Sequence, residues 1–278
     1  MRKNLLALSI AAMVGGLSGA ANAAVINNVG TTATGLSINP QGVGHILTVP
    51  YFSTQGNNKT LLSITNTDTT NGKAVKLRFR GAANSDDIFD ITVFLSPGDV
   101  WTADVAADGD ISRLVTNDTS CTLPSAQDIK DLGGKFKTNR VQGAAAAQTR
   151  EGYVEILNTA NIPVNTTAGS LYTAIKHVGG KAPCTAAVMD AQATDLAANG
   201  SDAAARGYAN PTGGLMANWI LVNVDGMASH SGEAVAVRAV NGAGANAAGN
   251  IVWFPQTTDA PTAGAGAVNT LTADPLLQ

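Results

Sequence analysis

Between residues 45 and 102, apolar and polar positions alternate with a period of two in one run after another. Successive side chains of a strand point to opposite faces, so this pattern predicts strands with one buried face. Residues 45–52 make a first strand, stopped or kinked at Pro50, whose nitrogen cannot donate to a ladder. Residues 60–65 make a second, with Leu62 and Ile64 on one face. The turn Thr69-Thr70-Asn71-Gly72 carries Asn-Gly, a strong hairpin signal. Residues 74–80 alternate without a break, and residues 88–95 place Phe89, Ile91, Val93 and Leu95 on one side. Ser96-Pro97-Gly98-Asp99 has turn composition, and Val100-Trp101-Thr102 continues as a short strand.

Further strands are predicted over 152–157, 219–224, 234–240 and 250–254. Helix signals fall in two places. Ser125 begins SAQDIKDL with Asp128 three residues on, a weak capping box, and 186–205 is alanine-rich with Gly200 interrupting it. Small-residue runs at 144–147, 243–248 and 260–267 read as loops. Short strands separated by turn residues predict a mainly β protein: an antiparallel β-sandwich, Ig-like or jelly-roll-like, with small helical or loop insertions. The expected organisation is a signal peptide over 1–23, then a single β-rich domain over 24–278 with insertions near 104–150 and 185–215.

The stretch AVKLRFRGAANSDDIFDITVFLSPGDVW, residues 74–101, concentrates the charge. Alternation sends Val75, Leu77 and Phe79 to the core and Lys76, Arg78 and Arg80 to the other face. Pairing through the loop 81–87 would bring Arg80 or Arg78 near Asp90. Two readings follow. One is a solvated sheet face laced by cross-strand ion pairs. The other is a basic partner face, formed by Lys76, Arg78 and Arg80, that meets lipopolysaccharide, a polysaccharide or the acidic patch of a neighbouring copy.

The first 23 residues change the picture of where this domain works. Arg2 and Lys3 precede an apolar run over 5–14, and Ala21-Asn22-Ala23 is a cleavage pattern. That is the layout of a secretory signal, and its apolar run is shorter than the roughly 20 residues a membrane span needs. No later segment reads as a membrane crossing. Only 13% of residues are charged, against about 25% in ordinary domains. The formal charge of −3 becomes −5 once Arg2 and Lys3 are removed. Nucleic-acid binding calls for a basic footprint, so this balance argues against it. The two cysteines, Cys121 and Cys184, favour a disulfide in an oxidising compartment over two free thiols. It would close a loop of about 64 residues, worth about 4 kcal/mol in the chain-entropy account.

Catalytic patterns are missing. His45, His177 and His230 show no zinc-ligand spacing, and there is no G-x-S-x-G elbow, S-x-x-K or phosphate-binding glycine loop. A Ser/His/Asp site would have to be assembled from distant residues. Calcium is the one ligand with support, because Asp104, Asp108 and Asp110 surround Gly109. Calcium takes six to eight oxygens, commonly carboxylates and loop carbonyls, but the EF-hand spacing is missing. A polar turn with Asp residues capping backbone groups is the other reading. Asn84, Asp86 and Asp87 form a weaker second candidate.

The segments GHILTVPYFSTQGNNKTLLSITNTD (44–68), KAVKLRFRGAANSDDIFDITVFLSPGDVW (73–101), REGYVEILNTANIP (150–163), LYTAIKHVGGKAPCT (171–185) and NIVWFPQ…LTADPLLQ (250–278) resemble a group of proteobacterial exported proteins. These are labelled "cell surface protein" or surface-layer-type proteins. The likeness spans most of the chain and is most specific over 73–101. It implies exposure on the surface of a Gram-negative cell and supplies no catalytic residues. Together these readings lead to a non-enzymatic, self-associating surface-layer or extracellular-matrix subunit without cofactors other than calcium. Its partners would be copies of itself or envelope polysaccharide. An adhesin or carbohydrate-binding module is the first alternative, and would need an exposed aromatic platform from Trp101, Trp219 or Trp253. A filament subunit that donates residues 24–38 as a strand is the second.

Overall fold

A computed structural model describes residues 24–26, 30–83, 85, 87–138, 141, 143, 145–193 and 200–253. The signal-like segment 1–23 and the calcium candidates Asn84 and Asp86 lie outside them. The described chain is an antiparallel β-sandwich with few helices.

Its strands are β1 (Ala24–Ile26), β2 (Gly35–Asn39), β3 (Ile46–Ser53), β4 (Asn58–Asn66), β5 (Gly72–Gly81), β6 (Asp87–Leu95), β7 (Val100–Asp108), β8 (Ile111–Val115), β9 (Cys121–Leu123), β10 (Glu151–Ile162), β11 (Leu215–Asn223), β12 (Ala228–Glu233), β13 (Val235–Val240) and β14 (Ile251–Trp253). The larger sheet has the order β2-β13-β3-β10-β5-β6-β9, and the smaller sheet β12-β11-β4-β7-β8. β1 and β14 pair with each other.

The alternation in the sequence builds the main core. Val75, Leu77 and Phe79 of β5, Phe89, Ile91 and Val93 of β6, and Val154 and Ile156 of β10 line the inner face of the larger sheet. Leu62 and Ile64 of β4 with Trp101, Ala103 and Val105 of β7 face them from the smaller sheet. Four phenylalanines cluster here, and Phe136, from the connection after the first helix, stacks on Phe89 at 5.0 Å between centroids.

The Asn71-Gly72 turn is not a hairpin. β4 pairs with β11 and β7, whereas β5 pairs with β10 and β6, so residues 67–71 cross between the sheets. Asp68 fastens the crossover by accepting the backbone N–H groups of Thr70 and Asn71. β3 also continues past Pro50 to Ser53. Its ladder with β13 ends at Thr48 and its ladder with β10 slips between Gly152 and Val154, so Pro50 stands where the ladders leave room for it.

Helices α1 (Ala126–Asp131), α2 (Leu171–Ile175), α3 (Ala186–Ala193) and α4 (Gly200–Ala205) occupy the insertions. The Ser125–Asp128 capping box is formed. The insertion boundaries shift from those expected. Residues 100–115 form a hairpin of the smaller sheet, and helix begins at Leu171 rather than near 185. A second core joins Leu171, Ile175, Met189 and Tyr208 to Phe94 and Ile162 on the outer face of the larger sheet. The Cys121–Cys184 disulfide ties this layer to the edge strand β9, with Cα atoms 5.4 Å apart, inside the usual 4.4–6.8 Å span.

Candidate functional site

The cationic stripe lies on the outer face of β5, as its alternation requires, but it is not a solvated face. Lys76 is fully buried and Arg78 nearly so. Lys76 Nζ donates to Asp90 Oδ1 at 2.6 Å, and Arg78 Nε to Asp87 Oδ2 at 2.9 Å. Arg80 Nε donates to Glu155 Oε2 at 3.0 Å. Asp87 and Asp90 are three residues apart, which in a regular strand would place them on opposite faces. A bulge at Phe79/Arg80 corrects this: Phe79 opposes Phe89 and Arg80 opposes Asp87, so Ile88 joins the core and both carboxylates face the cations. Gly152 allows the approach of β10, since a Cβ there would lie 1.8 Å from the Arg80 carbonyl oxygen. The expected basic partner face of Lys76, Arg78 and Arg80 is therefore corrected: these charges are bound to carboxylates of their own chain.

The calcium expectation fares no better. Asp104 pairs with Lys59 at 2.9 Å, Asp108 pairs with Lys135 at 3.2 Å, and Asp110 is exposed in the β7–β8 turn. Asp104 and Asp108 stand four residues apart on one strand, about 13 Å, so the three carboxylates do not gather around a common point. Among the described residues, no group of three or more metal-ligating side chains forms.

An Asp–His–hydroxyl grouping does occur. His177 Nδ1 lies 3.3 Å from Asp99 Oδ2, and Nε2 lies 3.4 Å from Thr119 Oγ1. The Thr119 hydroxyl donates to the Gly180 carbonyl at 3.0 Å, which directs its proton away from the imidazole. The arrangement pins the loop after α2 to two turns of the sandwich.

Three other features stand out. The first is a buried polar pocket at one end of the sandwich. The backbone N–H of Ala239 donates to His45 Nδ1, so Nε2 carries the proton and donates to the Pro211 carbonyl at 3.2 Å. Burial, with the nearby Lys73 charge, holds His45 below its usual pKa. Lys73 has no exposed surface and donates to Asn161 Oδ1 at 2.8 Å, with Asp68 Oδ2 at 3.5 Å. Burial lowers the Lys73 pKa to about 8, against the pull of Asp68. Burial pushes the Asp68 carboxyl up, but hydrogen bonds from Asn71 and Thr70 and the Lys73 charge outweigh that and hold it low. Gly213 and Gly214 roof the pocket at φ of +83° and +88°, close against His45 and Lys73.

The second feature is the edge strand β2. Leu36 and Ile38 are 51% and 69% exposed, and Val235 on the same face of β13 is 49% exposed. The third is a groove of about 650 Å³ on the outer face of the smaller sheet. Leu61 opposes Ile220 and Ser63 opposes Asn218 on its floor, with Thr116–Thr119 as one wall. The Ser63 and Asn218 side chains make no hydrogen bond among the described residues.

The aromatic platform of a sugar-binding module is not offered by Trp101, which is fully buried, or by Trp219, which packs against the core. The Trp253 side chain lies outside the described residues. The proposed donor segment is engaged within its own chain, through Ala24–Ile26 on β14 and Gly35–Asn39 on β13. Comparison of the chain with family models, curated proteins and solved structures gives no match.

The buried pocket escaped sequence reasoning because Lys73, Asn161 and Asp68 share no spacing. Only the pairing of β5 with β10 joins the first two.

Proposed function

We propose that the protein is an exported, non-enzymatic structural subunit of the cell surface or extracellular matrix that associates with copies of itself through the edge of its larger sheet. The observation that carries this reading is the apolar strand Gly35–Asn39, whose outer side pairs with no strand among the described residues and whose Leu36 and Ile38 are exposed. An edge strand leaves a row of backbone N–H and C=O groups unpaired, and monomeric proteins blunt such edges with lysine, proline or charge. GLSIN contains none of these. It is uncharged, so antiparallel pairing with its own copy brings no like charges together. The disulfide is compatible with an oxidising compartment.

The test is sedimentation velocity of the purified wild type over a range of concentrations, with negative-stain microscopy of the same samples. The wild type should associate, and Ile38→Lys should remain monomeric with an unchanged circular dichroism spectrum. A wild type that stays monomeric at every concentration overturns the reading. The groove with Ser63 and Asn218 on its floor then becomes the surface to test against envelope polysaccharide.

A further inference from the structure

The Lys73 pocket holds the elements of a covalent reaction. Lys73 and Asn161 are directly opposed on adjacent strands of the larger sheet, β5 and β10. Both side chains are buried, and Nζ already touches the amide oxygen at 2.8 Å. The electrophilic Cγ is one bond beyond that oxygen. Asn161 Nδ2 donates to Thr212 Oγ1 at 2.8 Å, which fixes the plane of the amide. Among the described residues, Asp68 is the carboxylate within ion-pairing distance of Nζ.

A buried ammonium has three donors to satisfy. Among the described residues, Lys73 has one good acceptor in Asn161 and a carboxylate oxygen at 3.5 Å. A buried charge with so few partners is expensive.

We propose that Lys73 and Asn161 condense into an intramolecular amide that covalently joins β5 to β10. In this step the Lys73 ammonium gives a proton to the Asp68 carboxylate, and the neutral amine attacks Asn161 Cγ. The Nζ–Cγ bond forms and the Cγ–Nδ2 bond breaks. Asp68 relays the released protons to Nδ2, which departs as ammonium. One ammonium and one primary amide thus become one secondary amide and one ammonium ion, with no oxidant, reductant or metal. The depressed Lys73 pKa, about 8, keeps a usable fraction of the amine neutral near neutral pH. The product also removes the charge from the pocket. This inference is independent of self-association and stands or falls separately from it.

The experiment is intact mass spectrometry of the reduced full chain, beside Lys73→Arg and Asn161→Ala variants from the same preparation, followed by tryptic mapping. The wild type should be lighter than its sequence by one ammonia, and both variants should match theirs. The tryptic map should show a branched peptide linking Lys73 to Asn161, with no cleavage after Lys73. Asn161→Asp should lose one water instead, and Asp68→Ala should retain the unreacted mass. A wild type at full sequence mass overturns the proposal. So does an ammonia loss that maps to Asn71-Gly72 as a cyclised asparagine. The wild-type measurement decides the matter even if a variant fails to fold.

Discussion

At the scale of single residues, the buried charges distinguish this protein from an ordinary sandwich. Lys76, Arg78 and Arg80 alternate with core residues as the pattern requires, but the outward face of β5 is covered. Breaking a buried pair leaves a charge without its partner, which is far more damaging than losing a surface pair. Lys76→Met should lower the unfolding free energy by about 3–5 kcal/mol in urea titrations. A loss within the roughly 0–1 kcal/mol of an exposed pair would show that solvent reaches Asp90.

His45 sets a pH dependence of predictable sign. Its folded pKa lies below the unfolded value of 6.5, chiefly through burial. Between the two values the unfolded chain holds a proton that the folded chain does not. The His45 contribution is therefore complete above pH 6.5 and declines as the pH falls below it. Urea midpoints at about pH 7.5 and about pH 5.5 should differ more in the wild type than in His45→Gln. Equal differences would mean that the imidazole is not held neutral.

At the scale of elements, the strands with strong alternation were legible: β3 to β7, β10, β11 and β13 follow the predicted runs. β12 was not, because ASHSGE has no apolar period and lies at an exposed edge, held by its ladder to β11. β8 and β9 are short, five and three residues, and carry little pattern. Pairing was less legible than strand position. Asn-Gly favours a two-residue hairpin, yet here the buried Asn66 donates to the Asn71 and Ser96 carbonyls and holds the crossover in place. The bulge that turns Asp87 outward has no sequence mark, since its cause is the pairing itself.

The helical layer depends on its tether. Cys184→Ser should destabilise the chain by about 2–5 kcal/mol. Hydrogen exchange should rise first in α2 and α3, with β4 and β7 still protected. A uniform loss of protection in both sheets would show that the second core and the sandwich unfold as one unit.

At the scale of the whole molecule, alternation revealed the sandwich because a two-faced sheet leaves its period in the chain. The candidate site left no such trace. Its residues come from the crossover after β4, from β5, from β10 and from the segment before β11, and proximity across a sheet is a property of topology. The exposed edge β2 was equally silent. GLSIN alternates like any half-buried strand, and only the strand order shows that none of the described strands pairs with its far side.

The proposed Lys73–Asn161 bond would overlap the disulfide, and the overlap would have a mechanical consequence. Lys73 and Asn161 are 88 residues apart, and a bond between them closes a ring containing most of β5 to β10. Cys121 lies inside that ring and Cys184 outside it, so the disulfide stitches the ring to the following segment. Tension between the chain ends would pass from β5 directly into β10. About 300 Å of contour, at about 3.4 Å per residue, would never pay out. Yielding would be left to the strands before β5 and to those after the helical layer, while the centre of the larger sheet would behave as a closed link.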